Sequence, residues 1–182
     1  MPRTPLDRYD TRTIVLHWTT ALLVVVLWLS AQVIDWFPQG APRTDMRSVH
    51  IALGVVLVVV LVYRIAWRRL MGARLPRLGH PHLARAAAIV HVALYVLLAI
   101  EIALGVTNEW VRGDSIFNLF TIPSFAPGDR ALRRRINGYH ELVANTILVV
   151  AGLHAAAGLV HHYVWNDGVL RRMWPVPWRR VG

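Results

Sequence analysis

Four apolar stretches, each about as long as a bilayer crossing, constrain this chain more than any other feature. A hydrocarbon core of roughly 30 Å takes about 20 apolar residues when crossed as α-helix. Thr13–Asp35, Ser48–Trp67, Ala86–Thr107 and Gly138–Val164 meet that requirement. They occupy most of the 182 residues, and 55% of the chain is hydrophobic, with apolar residues gathered in blocks that a soluble domain does not carry. The expected fold is an all-α membrane protein, a four-transmembrane-helix bundle forming one membrane domain over residues 1–182. The first span lacks the small-residue cleavage site of a secretory signal, so it is expected to remain as a permanent helix.

A formal net charge of +10 comes wholly from arginine, since the chain has no lysine. On a soluble domain such a balance would point to nucleic acid. Here the arginines stand at the ends of the apolar stretches, where they meet lipid headgroups and set topology, and no nucleic-acid partner is expected. Arg3, Arg8 and Arg12 precede the first span, Arg64, Arg68, Arg69, Arg74, Arg77 and Arg85 surround the second loop, and Arg171, Arg172, Arg179 and Arg180 follow the fourth span. The positive-inside rule puts these segments, and hence both termini, in the cytoplasm. The expected location is a multi-pass position in a bacterial inner membrane.

Ionisable side chains at membrane depth are costly and usually functional. Of nine histidines, five lie in the spans: His17, His50, His91, His140 and His154. His140 and His154 are fourteen residues apart, which leaves them within about 40° of one another on a helix and about 21 Å apart along its axis. His17 matches His154 in depth, and His50 matches His140. The expected metal-ligating pairs are therefore His17 with His154 and His50 with His140, each able to fill both axial positions of a haem iron. With no cysteine in the chain, covalent haem attachment and thiolate-held clusters are excluded. Gly54, Ala144, Gly152 and Gly158 lie near these histidines, where a flat macrocycle needs room, although small residues are also ordinary membrane packing.

Several motifs carry a resemblance. Leu16-His17-Trp18, His50 with Gly54, Arg64, the run Tyr139-His140-Glu141-Leu142-Val143-Ala144-Asn145 and the run Gly152-Leu153-His154-Ala155-Ala156-Ala157 resemble the bacterial cytochrome b561 family. The likeness covers nearly the whole chain, including His161-His162-Tyr163 and the ending around Trp165-Asn166-Asp167. It implies a membrane cytochrome b with two haem b groups, exchanging electrons with ubiquinone as an exchangeable substrate, and for some members oxidation of periplasmic superoxide to oxygen. The ligands it implies are His17, His50, His140 and His154. One departure is Ala99-Ile100-Glu101-Ile102, which puts an acid where the family commonly has a proline-containing stretch. Glu101 is expected to relay a proton, pair with an arginine or accept a hydrogen bond.

Two further cofactor-binding candidates lie toward the cytoplasmic haem. Arg64 suits bidentate pairing with a haem propionate, or positive-inside anchoring. His91 is placed as a propionate or quinone contact, or an interfacial polar anchor. His80, His82, His161 and His162 are expected to be solvated or interfacial. Trp110, Phe117, Phe120 and Phe125 indicate a loop lying on the outer membrane surface. Arg130, Arg133, Arg134 and Arg135 follow it, against the charge trend of that side, and are candidates to attract an anion or to bind anionic lipid. The expected function is electron transfer across the bilayer to or from quinone, as an oxidoreductase drawing on superoxide or another small donor. The alternative is a cytochrome subunit fed by a docked dehydrogenase or periplasmic cytochrome.

Overall fold

The computed structural model of the chain describes residues 8–76 and 81–175. Four helices dominate: α1 (Thr11–Val33), α2 (Ala41–Leu70), α3 (Pro81–Arg112) and α4 (Arg130–Tyr163). All four are long and apolar enough to cross a membrane. Between α3 and α4 lies a small antiparallel ribbon of β1 (Ser115–Ile116) and β2 (Phe120–Thr121).

The helices overrun the apolar stretches. α2 has 30 residues and α4 has 34, lengths of about 45 and 51 Å at 1.5 Å per residue. Hydropathy marks only the part in hydrocarbon, whereas the backbone goes on pairing internally beyond it until a cap or breaker stops it. Asp129 starts α4 by accepting from the Leu132 N–H at 2.8 Å. Arg130, Arg133, Arg134 and Arg135 therefore form the first turns of a helix rather than a loop.

α1 packs along α2 and α3 along α4. The two hairpins meet over a thin apolar layer of Leu57, Leu61, Leu98 and Ile147, with Leu27, Tyr95 and Val143 against it. Outward-facing Val25, Val59, Val92 and Val149 are exposed in the isolated chain, as lipid-facing side chains are. Hydrocarbon cannot solvate a free backbone group, so each crossing pairs its own N–H and C=O groups as helix.

Both ends of the described chain lie at one end of the bundle, the terminal end. The Tyr9 N–H bonds the Arg172 carbonyl at 3.2 Å, and the Trp18 indole donates to the Met173 carbonyl at 2.7 Å. Asp10 ties this end together. It caps α1 through the Thr13 N–H at 2.9 Å and hydroxyl at 2.7 Å, and accepts from the Trp67 indole at 2.8 Å and the Ala73 N–H at 3.1 Å. Burial pushes its carboxyl up, but these hydrogen bonds outweigh that and hold it well below the usual carboxylate range.

At the opposite, far end, Ser48 fixes the β-ribbon to α2. Its hydroxyl donates to the Thr44 carbonyl at 2.8 Å and accepts from the Phe117 N–H at 2.8 Å. Asp114 binds Arg47 of α2 at 3.1 Å and Arg112 of α3 at 2.9 Å. Gly113 ends α3 with φ of +66°, and a Cβ there would meet the Ser124 Cβ at 2.9 Å, so only glycine fits. The expected aromatic surface loop is thus a pinned ribbon that keeps Phe117, Leu119, Phe120 and Phe125 outward.

Candidate functional site

Two histidine clusters lie on either side of the apolar layer. Ile147 of α4 stands seven residues from both His140 and His154, so the buried layer centred on it separates them.

At the far end, His50 of α2 faces His140 of α4 with ring centroids 6.4 Å apart and planes at 84°. At the terminal end, His17 of α1 faces His154 of α4 at 6.2 Å and 80°. Two imidazoles bound to one metal from opposite sides, with nitrogens at about 2.0 Å, have centroids roughly 6.3 Å apart. Both separations suit a shared ion. Among the described residues no group of three or more His, Cys, Asp or Glu side chains could hold a metal ion. Each pair would offer two imidazole ligands to a bound metal group that brings its remaining ligands with it.

The outer nitrogens differ in chemistry. Ser30 of α1 donates its only hydroxyl proton to the Leu27 carbonyl at 2.7 Å and lies 2.8 Å from Nδ1 of His50. With that proton committed, Ser30 Oγ can only accept, so Nδ1 of His50 carries the hydrogen and Nε2 keeps its lone pair for a ligand. Nδ1 of His140 lies 3.1 Å from Oε1 of Glu101 on α3. The contact is one of distance, because neither Nδ1 nor Oε2 of Glu101 has a hydrogen-bond partner in good geometry. Gly105, one turn beyond Glu101, gives this ring its room, since a Cβ there would sit 3.3 Å from Cε1 of His140.

His17 has the opposite arrangement. Its Nδ1 contacts a guanidinium nitrogen of Arg64 at 2.9 Å. Arginine only donates, so here Nδ1 accepts and the proton of the neutral ring sits on Nε2. Arg64 also lies 5.4 Å over the Tyr95 ring and makes no ion pair among the described residues. His91 of α3 packs against His154 with centroids 5.0 Å apart. All four helices therefore contribute to the terminal cluster. His161 is tied instead to Asp167 at 2.5 Å, an interaction that, with the Val169 N–H, holds the Asp167 carboxyl below its ordinary value against the effect of burial. His80 lies outside the described residues.

The structure brings together His17, Arg64, His91 and His154 at one end, and His50 and His140 at the other. Ser30 and Gly105 were missed in the sequence, where a serine and a glycine in apolar helices look like ordinary packing. A Cβ at Gly54 or Gly152 would meet nothing within 4 Å, and one at Gly158 would meet only Leu170 at 3.8 Å.

The family model for prokaryotic cytochrome b561 matches residues 8–176. The chain is 30% identical over 175 residues to a probable superoxide oxidase, CybB, of Yersinia pestis, covering 92% of this chain and 96% of the relative. It is 29% identical to cytochrome b561 homolog 1 of Escherichia coli K12, with 93% and 98% covered. Cytochrome b562 of Cereibacter sphaeroides is 28% identical, with 91% and 94% covered. The chain belongs to the prokaryotic cytochrome b561 family, membrane cytochromes b that imply a b-type haem and sit as multi-pass proteins in the bacterial inner membrane.

Proposed function

We propose that this protein holds two b haems, one between His50 and His140 and one between His17 and His154, and carries electrons across the inner membrane to ubiquinone. A bound b haem supplies one-electron redox chemistry. The observation that carries the assignment is the pair of facing imidazoles repeated at both depths, at separations of 6.4 and 6.2 Å. A haem held by two imidazoles at each site would be suited to electron transfer rather than oxygen binding.

The chain's own groups have distinct tasks. Ser30 fixes the ligating tautomer of His50. His17 can ligate through Nε2 only when its proton moves to Nδ1, and Arg64 must then turn to another acceptor. A haem propionate is such an acceptor, and a guanidinium with no carboxylate partner among the described residues suits it. His91, beside His154, is placed to contact the same haem or a quinone. Leu159, His162, Tyr163, Leu170, Arg171 and Trp174 line a cavity at this end, and its mainly apolar walls with polar His162 and Arg171 suit a quinone ring and its carbonyls.

The arginine count supports a cytoplasmic terminal end and a periplasmic His50–His140 end. The donor we propose is superoxide, supported by the name of the Yersinia pestis relative and by Arg130, Arg133, Arg134 and Arg135 at the far end. The net reaction converts two superoxide anions, one quinone and two protons into two oxygen molecules and one quinol. A pyridine haemochrome assay tests the core of the assignment: two haems per polypeptide are expected, and one or none would reject it. His140→Ala and His154→Ala should remove different redox components, and loss of the same component from both would break the pairing.

A further inference from the structure

We propose that Glu101 is a positioning residue that accepts the Nδ1 proton of His140 and thereby lowers the redox potential of the haem at the far end. The inference rests on the assignment of His140 as an axial ligand and goes beyond it in naming what tunes that ligand.

The first observation is isolation. The Glu101 side chain is 15% exposed and that of His140 is 22% exposed, with Oε1 and Nδ1 3.1 Å apart. Oε2 of Glu101 has no hydrogen-bond partner among the described residues, and Glu101 brings two acceptors to the His140 ring, its carboxyl Oε1 and its main-chain carbonyl. Buried polar atoms in hydrocarbon demand partners, and for the Glu101 carboxyl the His140 ring is the one within reach among the described residues. The second observation is shape. Gly105 follows Glu101 by one turn on the same face of α3, and the missing side chain lets Cε1 of His140 come within 3.3 Å of where a Cβ would stand. Glu101 and Gly105 therefore face the same Nδ1–Cε1 edge of the His140 ring from successive turns of α3.

A histidine bound through Nε2 must carry its proton on Nδ1, and the group accepting that proton raises the basicity of the ligand. A carboxyl oxygen is a stronger acceptor than a hydroxyl, and any negative charge it bears acts at low dielectric. Both effects stabilise ferric over ferrous iron and lower the potential. His50, across the same site, meets two neutral acceptors, the Ser30 hydroxyl and the Leu27 main-chain carbonyl. Glu101 is thus the one carboxyl among the outer contacts of His50 and His140.

The test is a spectroelectrochemical titration of the purified holoprotein and its Glu101 variants, with haem quantitation on each sample. Glu101→Leu removes the carboxyl acceptor while keeping the main-chain carbonyl, and should favour the ferrous form of one haem by about tenfold, which is about 59 mV upward for a one-electron couple. Glu101→Gln keeps a neutral acceptor and should move the same component less, whereas Glu101→Asp should stay near the native value. The component that moves must be the one lost in His140→Ala. An unmoved potential with two haems retained, or equal shifts in both haems, would overturn the inference alone. A native protein without a haem at His140 would overturn the underlying assignment with it. If Glu101→Leu and Glu101→Gln release that haem, its retention in Glu101→Asp supports the inference and its loss there rejects it.

Discussion

Trp28 on α1 donates its indole N–H to Oδ1 of Asn145 on α4 at 2.9 Å, joining the two helical hairpins at a depth between the histidine clusters. Few buried side chains hold the hairpins together, so one polar bond between them is a large share of what fixes their spacing. That spacing also sets the distance from His17 on α1 to His154 on α4. Asn145→Leu should cost about 0.6–1.7 kcal/mol, the range measured for interhelical hydrogen bonds in membranes. Thermal unfolding in detergent checks the cost. Trp28→Phe should match it, and the double variant should cost little more than either single one, because both remove the same bond.

Ser30→Ala removes one of the two acceptors, with the Leu27 carbonyl, that hold the proton on Nδ1 of His50. Losing a partner of this kind typically weakens metal binding about 10–100-fold. Haem should leave the far-end site of this variant first when the protein is challenged with an apo-haem acceptor, while the terminal site releases at its native rate. Ser30→Thr keeps the hydroxyl and should restore retention. Equal release from both sites would show that Ser30 does not support His50.

Asp10 joins the N-terminus of α1, the C-terminus of α2 and the residue Ala73 through four hydrogen bonds. Its carboxyl titrates below the ordinary value of 3.8 in the folded chain, so the folded state holds the ionised form more tightly than the unfolded state does. The stability it adds is full above that value and is lost as the pH falls beneath it. Asp10→Ala should lower stability at neutral pH by about 0.5–2 kcal/mol from the cap alone. The difference between variant and native protein, measured by thermal unfolding, should shrink as the pH is taken below 4. A gap that stays constant with pH would remove the carboxylate from the explanation.

The four crossings were legible because hydrocarbon forces a continuous apolar run on any helix that spans it. Their ends were not, because the turns of α2 before Ser48 and of α4 before Gly138 are polar and are stabilised by caps and by backbone pairing, which hydropathy does not see. The depth of His17, His50, His140 and His154 followed from counting along helices, and the structure brings the same four into two facing pairs. The partners of their outer nitrogens could not be counted out. Ser30 reaches His50 across the α1–α2 interface and Glu101 reaches His140 across the α3–α4 interface, and the rotation of one helix against another leaves no trace in a single apolar pattern.

Arg130, Arg133, Arg134 and Arg135 open α4 at the far end, three turns or less before His140. They are exposed and make no ion pair among the described residues, whereas Arg47 and Arg112 nearby are already bound to Asp114. A cluster of free cations at the mouth of a site raises the local concentration of a small anion and speeds its arrival, by about 10–10³-fold in steered systems. Changing Arg133, Arg134 and Arg135 to glutamine should slow second-order reduction of the haems by superoxide by about tenfold, with haem content unchanged. Salt screens such a field over about 8 Å at physiological ionic strength. Raising the ionic strength should therefore slow the native protein steeply and the variant only slightly. Equal, salt-independent rates in the two proteins would leave these arginines as anchors for anionic lipid. If superoxide reduces neither protein while a copurifying dehydrogenase or small cytochrome does, the donor is a docked protein and the cations at the head of α4 form part of its landing surface.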